Sequence, residues 1–244
     1  MSMPLERIVS GSPVAVLFIH GIMGTPEHFD FLLPLLPQDW SYRAICLEGH
    51  GGSLKDFNRA SMARWREQTH QALDVLVSHA CILVVTHSMG GLLALDAAAR
   101  RRVNGIFALA LPLKILPRPA AGINALKVAL GRVRPEDTFA SAAKRCCGVE
   151  PDRRFWRYLG IIPRYLELFR LISRVRRQLP ASDVPLEVWF SARDELVSRR
   201  SAKLLTGRKD TSVHFLPHAG HYHYPDDDLA LLCRAFRDFC DRNA

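Results

Sequence analysis

The chain has 244 residues, of which 48% are hydrophobic and 23% charged, and its formal net charge is +9. This length suits one large domain, or one domain with an insertion, that buries a substantial core. No apolar run approaches the roughly 18 residues of a membrane helix and the N-terminus lacks the basic and apolar blocks of a secretory signal, so we expect a soluble, cytoplasmic protein.

Cysteine spacing gives no sign of a metal site. The six cysteines form no CxxC pair and show no Cys/His spacing of the kind that zinc sites use. We therefore predict reduced, mostly buried thiols, and neither a metal nor a cofactor.

The positive charge is concentrated in one segment. Residues 114–180 contain 15 lysines and arginines against five acidic residues, whereas the rest of the chain contains 18 against 19. Because the charge belongs to one segment and no nucleic-acid-binding motif accompanies it, nucleic acid is not expected as a partner.

Short apolar runs alternate with helical patterns along the first half of the chain. The run PVAVLFIHG (13–21) predicts a buried parallel strand, and Thr25 and Pro26 suit the start of a helix that continues to Leu36. A second strand (42–53) ends in a glycine-rich loop. A helix follows over 64–78, and its predicted buried face holds Trp65, Leu73, Leu76 and Val77.

The alternation continues to the C-terminus, apart from one interruption. The predicted elements are a strand at 81–88, a helix at 89–101, strands at 103–113 and 185–197, a helix at 198–205, a strand at 212–217 and a helix at 226–242. This order predicts an α/β fold with a mostly parallel sheet that helices cover on both faces. The proline-containing, basic segment 114–180 interrupts it and predicts an inserted helical cap.

Ser88 occupies a distinctive position within the stretch LVVTHSMGGLLAL (83–95), between a β-branched apolar run and a glycine-led helical pattern. A sharp turn from strand to helix points a hydroxyl out from the carboxyl edge of a sheet. The following helix offers its N-terminal N–H groups to a developing negative charge. The placement predicts a nucleophile.

Five separated motifs, in chain order, resemble those of the α/β-hydrolase family. They are HGIMG (20–24), LEGHGGS (47–53), THSMGG (86–91), SARDELV (191–197) and HAGH (218–221). Within the family the sequence is most similar to carboxylesterases and monoacylglycerol lipases that carry a cap. The resemblance implies a hydrolase core formed by residues 1–113 and 181–244, with 114–180 as the cap. Thr86 departs from the family pattern Gly-x-Ser-x-Gly, in which the first position is small.

The resemblance also implies a catalytic triad of Ser88, Asp194 and His221. A serine hydroxyl is a poor nucleophile, so it needs a neutral imidazole as base, and the imidazole needs a carboxylate to fix its tautomer. Asp194 is preferred to the adjacent Glu195 as the acid, and His218 and His223 remain alternatives for the base.

Two backbone N–H groups, those of Ile22 and Met89, are implied as the oxyanion hole. His20, Gly21 and His50 are expected to shape the surrounding loops by hydrogen bonding and tight turning rather than to transfer protons. Together these residues predict a serine hydrolase that cleaves carboxylic esters of small molecules through an acyl-enzyme.

Other functions remain open. A thioesterase or lysophospholipase would use the basic cap to attract anionic acyl substrates, and a catalytically silent scaffold would only bind a partner. The cap's apolar residues (155–172) could form an acyl pocket beneath a cationic rim that also contacts an anionic membrane. Alternatively, they form an amphipathic helix that covers its own core, which is the favoured interpretation. The oligomeric state is not predicted.

Overall fold

The protein forms one large sheet and one small sheet, as described by a computed structural model for residues 4–244. The strands are β1 (Leu5–Arg7), β2 (Val14–Ile19), β3 (Ser41–Ile45), β4 (Gly52–Ser53), β5 (Cys81–His87), β6 (Gly105–Leu109), β7 (Val149–Glu150), β8 (Leu186–Ser191) and β9 (Thr211–Leu216). The seven-stranded sheet has the order β1-β3-β2-β5-β6-β8-β9, and β4 pairs with β7 in the small sheet.

Seven α-helices and five short 3-10 helices connect the strands. The α-helices are α1 (Leu54–Arg59), α2 (Met62–Val75), α3 (Met89–Ala98), α4 (Pro119–Ala129), α5 (Thr138–Cys146), α6 (Ile162–Gln178) and α7 (Asp226–Asn243). The 3-10 helices are Pro26–Phe29, Leu33–Leu35, Phe155–Ile161, Leu179–Ala181 and Arg199–Leu204. These counts refer to residues 4–244. No helix in this range is both long and apolar enough to cross a bilayer.

The large sheet is parallel except for β1, which pairs antiparallel with β3. Every residue of β2, β5, β6 and β8 is buried, as expected of mainly apolar strands with helices on both faces. On β2, Ala15 and Leu17 join a core with residues of α1, α2, α3 and α6, whereas Val16 and Phe18 join a second core with α7. The predicted α/β class and mostly parallel sheet are confirmed.

Some predicted elements were wrong. The helix expected from Thr25 to Leu36 is two separate 3-10 helices, because Pro34 has no N–H to continue an α-helical ladder. The helix predicted over 198–205 is the 3-10 helix Arg199–Leu204. Val77, expected on the buried face of a helix over 64–78, lies in the turn after α2 and is 65% exposed. The short strand β1 was not predicted.

Two helices of the basic segment differ in how far they are buried. α6 buries Leu168, Leu171 and Val175 in the same core as α3, whereas α4 has no buried residue. The boundaries drawn from sequence, with residues 1–113 and 181–244 as core and 114–180 as cap, stay a prediction.

Candidate active site

Ser88 lies in a strained turn between β5 and α3. Its backbone angles, φ 50° and ψ −120°, are sparsely populated by residues with a side chain and cost on the order of 1–3 kcal/mol. Neighbouring segments hold this conformation: the Ser88 N–H donates to the carbonyl of Leu109 (2.8 Å), and the Ser88 carbonyl accepts from the N–H of Gly91 (3.0 Å). The turn places Ser88 at the carboxyl edge of the sheet and at the N-terminus of α3.

Gly90 allows α3 to start directly against β2. A Cβ atom at this position would lie 2.0 Å from the carbonyl oxygen of Ile19, so no other residue fits without moving the backbone. The close approach explains why a glycine stands two residues after Ser88.

Thr86, the departure from the family pattern, is accommodated by Gly91. The threonine is completely buried, and its hydroxyl has no hydrogen-bond partner among residues 4–244. A Cβ atom on Gly91 would lie 3.2 Å from that hydroxyl oxygen and 2.7 Å from a methyl group of Leu111. The second glycine of the THSMGG motif therefore leaves the space that Thr86 and Leu111 occupy.

Asp194 and His221 form a buried hydrogen-bonded pair. The Nδ1 atom of His221 lies 2.9 Å from Oδ2 of Asp194, and each side chain is only 2% exposed. The other carboxylate oxygen of Asp194 accepts the N–H groups of Leu196 (2.8 Å) and Val197 (2.7 Å). Since a carboxylate only accepts, His221 carries its proton on Nδ1 and leaves Nε2 free to accept one.

The environment of His221 shifts its pKa upward. Burial lowers the pKa, but the charge of Asp194, the hydrogen bond to it and the charge of Glu195 together raise it above the ordinary value of 6.5. The pair therefore stabilises an imidazolium, which is the form a general base takes once it has accepted a proton.

Two further side chains hold the backbone of His221. The carboxylate of Glu195 accepts the His221 N–H (2.8 Å), and Nε2 of His87 lies 3.0 Å from the His221 carbonyl, to which it donates. The rings of His87 and His221 are also in contact, with centroids 4.7 Å apart. Because His87 directly precedes Ser88, this contact joins the serine turn to the histidine loop.

The other histidines near these loops take part in different contacts. His218 is exposed, and its backbone N–H donates to the carboxylate of Asp228 (2.8 Å). His223 packs against the ring of Phe139, with centroids 5.1 Å apart, and His214 stacks on Trp189. Of the histidines considered for the base, His221 is the one that the described structure brings to Asp194.

The loop that contains Ile22 is fixed by two buried histidines. His20 donates from Nδ1 to the carbonyl of Gly21 (2.8 Å), and its Nε2 accepts from the N–H of Leu47 (3.0 Å). Nε2 of His50 accepts the N–H of Met23 (3.0 Å). Burial lowers the pKa of His20 to about 4, so the ring is neutral. Because the Met23 N–H donates to His50, it is already hydrogen-bonded.

One family matches most of the chain. The model of the alpha/beta hydrolase family matches residues 16–235, nine-tenths of the chain. The chain belongs to the alpha/beta hydrolase family. The predicted family and fold are confirmed. No curated protein matches the sequence at a significant level.

Solved structures of other hydrolases share the fold over nearly the whole chain. One structure comes from a study of the metagenome-derived lipolytic enzymes LipS and LipT. It superposes with a TM-score of 0.76 and 20% identity, and the match covers 99% of this chain and 98% of that chain. A monoacylglycerol lipase of Paleococcus ferrophilus has a TM-score of 0.72 and 15% identity, with the same coverage of 99% and 98%. A bacterial membrane phospholipase A has a TM-score of 0.65 and 21% identity, with 99% and 83% covered.

The basic segment contacts the loop at Ile22. The N–H of Gly148 donates to the carbonyl of Met23 (2.7 Å), and the hydroxyl of Tyr165 on α6 lies 3.7 Å from the sulfur of Met23. Gly220 packs closely against Phe139 of α5, leaving no room for a side chain. The segment therefore borders both the Ile22 loop and the histidine loop.

The sequence did not predict the roles of Glu195 and His87 beside His221. Glu195 is adjacent to the predicted acid, and His87 directly precedes the predicted nucleophile. Their contacts to His221 join residues 26 and 134 positions apart, and no local pattern encodes such pairs.

Proposed function

We propose that this protein is a serine hydrolase that cleaves carboxylic esters of small molecules. Ser88 attacks the ester carbonyl, and His221 Nε2 takes the serine proton and returns it to the leaving alcohol. Asp194 holds the tautomer and stabilises the imidazolium. Water then hydrolyses the acyl-enzyme with His221 again as base. The observation that carries the proposal is the buried Asp194–His221 hydrogen bond, at the same sheet edge as the strained Ser88 turn.

The N–H groups of Ile22 and Met89 are proposed as the oxyanion hole. Met89 is the first residue of α3, so its amide points out of a helix N-terminus. Ile22 is preferred to Met23 because the Met23 amide already donates to His50. Losing one such donor typically costs on the order of 100- to 1,000-fold in turnover.

The decisive experiment compares Ser88→Ala with wild type on chromogenic esters of increasing acyl length, together with labelling by a fluorophosphonate probe. We expect Ser88→Ala to lose both turnover and labelling. Ser212→Ala, which changes an exposed serine of β9, is the matched control and should retain both. Ester turnover that survives Ser88→Ala would refute the mechanism. A wild-type protein that fails to label would instead favour a silent scaffold.

A thioesterase or lysophospholipase acting on anionic acyl substrates is the second candidate. The excess of arginine and lysine in residues 114–180 favours it, because a cationic border would attract such substrates. On either reading the segment acts as a cap over the site. A cytoplasmic location stays a prediction from the sequence.

A further inference from the structure

We infer that an exposed apolar ridge on the basic segment docks this hydrolase onto anionic lipid membranes, a partner assignment that rests on the proposed ester hydrolysis. The ridge consists of three residues of the 3-10 helix at 155–161 and three residues of α6. They are Phe155, Trp156 and Leu159, followed by Ile162, Leu166 and Phe169.

The ridge is separate from the face that packs on the core. Its six side chains are between 47% and 79% exposed. In α6 the ridge positions 162, 166 and 169 follow helical spacing on the outer face, whereas Leu168, Leu171 and Val175 are buried against the core. The helix therefore has an inner apolar face that the core buries and an outer apolar face that is about half exposed.

Positive charge flanks the ridge at both ends. Six exposed arginines lie there: Arg153, Arg154, Arg170, Arg174, Arg176 and Arg177. Between residues 153 and 177 the sequence has one acidic residue, Glu167, which is engaged by Arg164 (2.9 Å). None of the six takes part in the salt bridges found among residues 4–244.

This combination of groups fits an anionic lipid surface. Exposed aromatic and aliphatic side chains insert at the boundary of headgroups and acyl chains, and neighbouring arginines bind the anionic headgroups. A second copy of the chain fits less well, because it would bring the same six arginines against these six. Charge complementarity therefore selects lipid as the occupant.

The ridge also lies close to the proposed site. Tyr165, which stands next to Leu166 in α6, reaches the sulfur of Met23 beside the proposed oxyanion amide of Ile22. Docking through the ridge would place this side of the site at the membrane surface, where acyl esters of lipids are found.

Tryptophan fluorescence tests the inference directly. Of the four tryptophans, Trp156 is 56% exposed, whereas Trp40, Trp65 and Trp189 are at most 9% exposed. Ser88→Ala protein should show a blue shift with vesicles of phosphatidylglycerol and phosphatidylcholine, and quenching when the acyl chains are brominated. Vesicles of phosphatidylcholine alone should give a much smaller response. The use of Ser88→Ala keeps the test independent of ester turnover.

Paired variants identify the surface. Leu166→Gln with Phe169→Gln, and separately Arg170→Gln with Arg174→Gln, should each lower vesicle affinity roughly tenfold or more. The apolar control pair is Val75→Gln with Val77→Gln, at exposed positions of α2 and the turn after it, and it should bind as wild type. The charge control pair, Arg234→Gln with Arg237→Gln, removes two exposed arginines from α7 on the opposite face of the sheet and should also leave binding unchanged.

Several results would overturn the inference. One is the absence of binding to anionic vesicles, and another is wild-type binding by the ridge variants. A blue shift that grows with protein concentration without lipid would assign the ridge to a second copy, and a shift caused by an acidic carrier protein but not by vesicles would assign it to that protein. Turnover of a short water-soluble ester separates this inference from the proposed function, since the ridge variants should retain it.

Discussion

At the residue scale, the two oxygens of Asp194 have different partners, and this division fixes the tautomer of His221. One oxygen accepts two backbone N–H groups and the other accepts the His221 Nδ1 proton. In Asp194→Asn, the amide oxygen would keep the backbone bonds and the NH₂ group would face His221. The ring would then have to accept at Nδ1 and carry its proton on Nε2, where the proposed mechanism requires a free lone pair.

We therefore expect Asp194→Asn to lower kcat by about 10⁴-fold, the loss that the same exchange causes in a serine protease triad. The measurement is steady-state ester turnover, with circular dichroism to show that the fold is kept. Asp183→Asn, in an exposed loop, is the matched control and should turn over as wild type. Near-normal turnover of Asp194→Asn would exclude Asp194 as the acid.

Glu195 should influence both the position and the pKa of His221. Its carboxylate accepts the His221 N–H, and its charge helps to raise the His221 pKa. The proposed base is active when neutral, so kcat/KM should rise with pH through a pKa above 6.5. Glu195→Gln keeps an acceptor but removes the charge. Its rising limb should therefore move to lower pH, and activity should persist further into the acid range.

The alanine variant separates positioning from charge. Glu195→Ala leaves the buried His221 N–H without its acceptor, and we expect kcat to fall by roughly 10- to 100-fold with little change in KM. The pH–rate profiles of both variants provide the measurement. Identical profiles for wild type and Glu195→Gln would show that Glu195 has only a structural role.

How far the sequence predicts the site differs from residue to residue. Asp194 and His221 could be assigned because each follows a strand in a motif with a fixed chain order, and the structure brings them within 2.9 Å. The contacts of Glu195 and His87 could not, because they depend on how three loops meet at one edge of the sheet.

At the element scale, β5 carries a buried hydroxyl close to the Ser88 turn, that of Thr86, which has no hydrogen-bond partner within residues 4–244. Replacing it with a methyl group of similar size removes the cost of burying an unpaired polar group. We expect Thr86→Val to raise the free energy of unfolding by about 1 kcal/mol, measured by urea denaturation.

A second buried threonine provides the control. Thr69 is also completely buried, but its hydroxyl donates to the Trp65 carbonyl (2.9 Å), so Thr69→Val should be neutral or destabilising. If Thr86→Val destabilises the protein as Thr69→Val does, the Thr86 hydroxyl has a partner in solution.

Strands that are buried on both faces have a mainly apolar sequence, and this pattern made them predictable. Short or exposed elements have no such pattern and were not predictable. β2 and β6 are continuous apolar runs, and β5 and β8 are mainly apolar, as expected where helices cover both faces of the sheet. β1 has three residues at the sheet edge, half-buried or exposed, which leaves no apolar pattern to detect. α4 likewise has no buried residue, so its sequence carries little periodic signal.

At the scale of the whole molecule, the charge is divided between two parts of the chain. Residues 114–180 hold a large excess of lysine and arginine, and the remainder is close to neutral. That basic segment contacts Met23 next to the proposed oxyanion loop. An electrostatic effect on substrates should therefore depend on the charge of the substrate and not on the chemistry at Ser88.

This separation predicts how salt affects turnover. Between about 0.01 M and 1 M salt the screening length falls from roughly 30 Å to 3 Å, so attraction of an anionic substrate to the basic segment should weaken severalfold. We expect kcat/KM for an anionic acyl thioester or lysophospholipid to fall over this range. A neutral short-chain ester measured in parallel should change little, because it reports the chemical step alone. Equal salt dependence for both substrates would remove the case for a thioesterase or lysophospholipase and leave neutral esters as the substrate class.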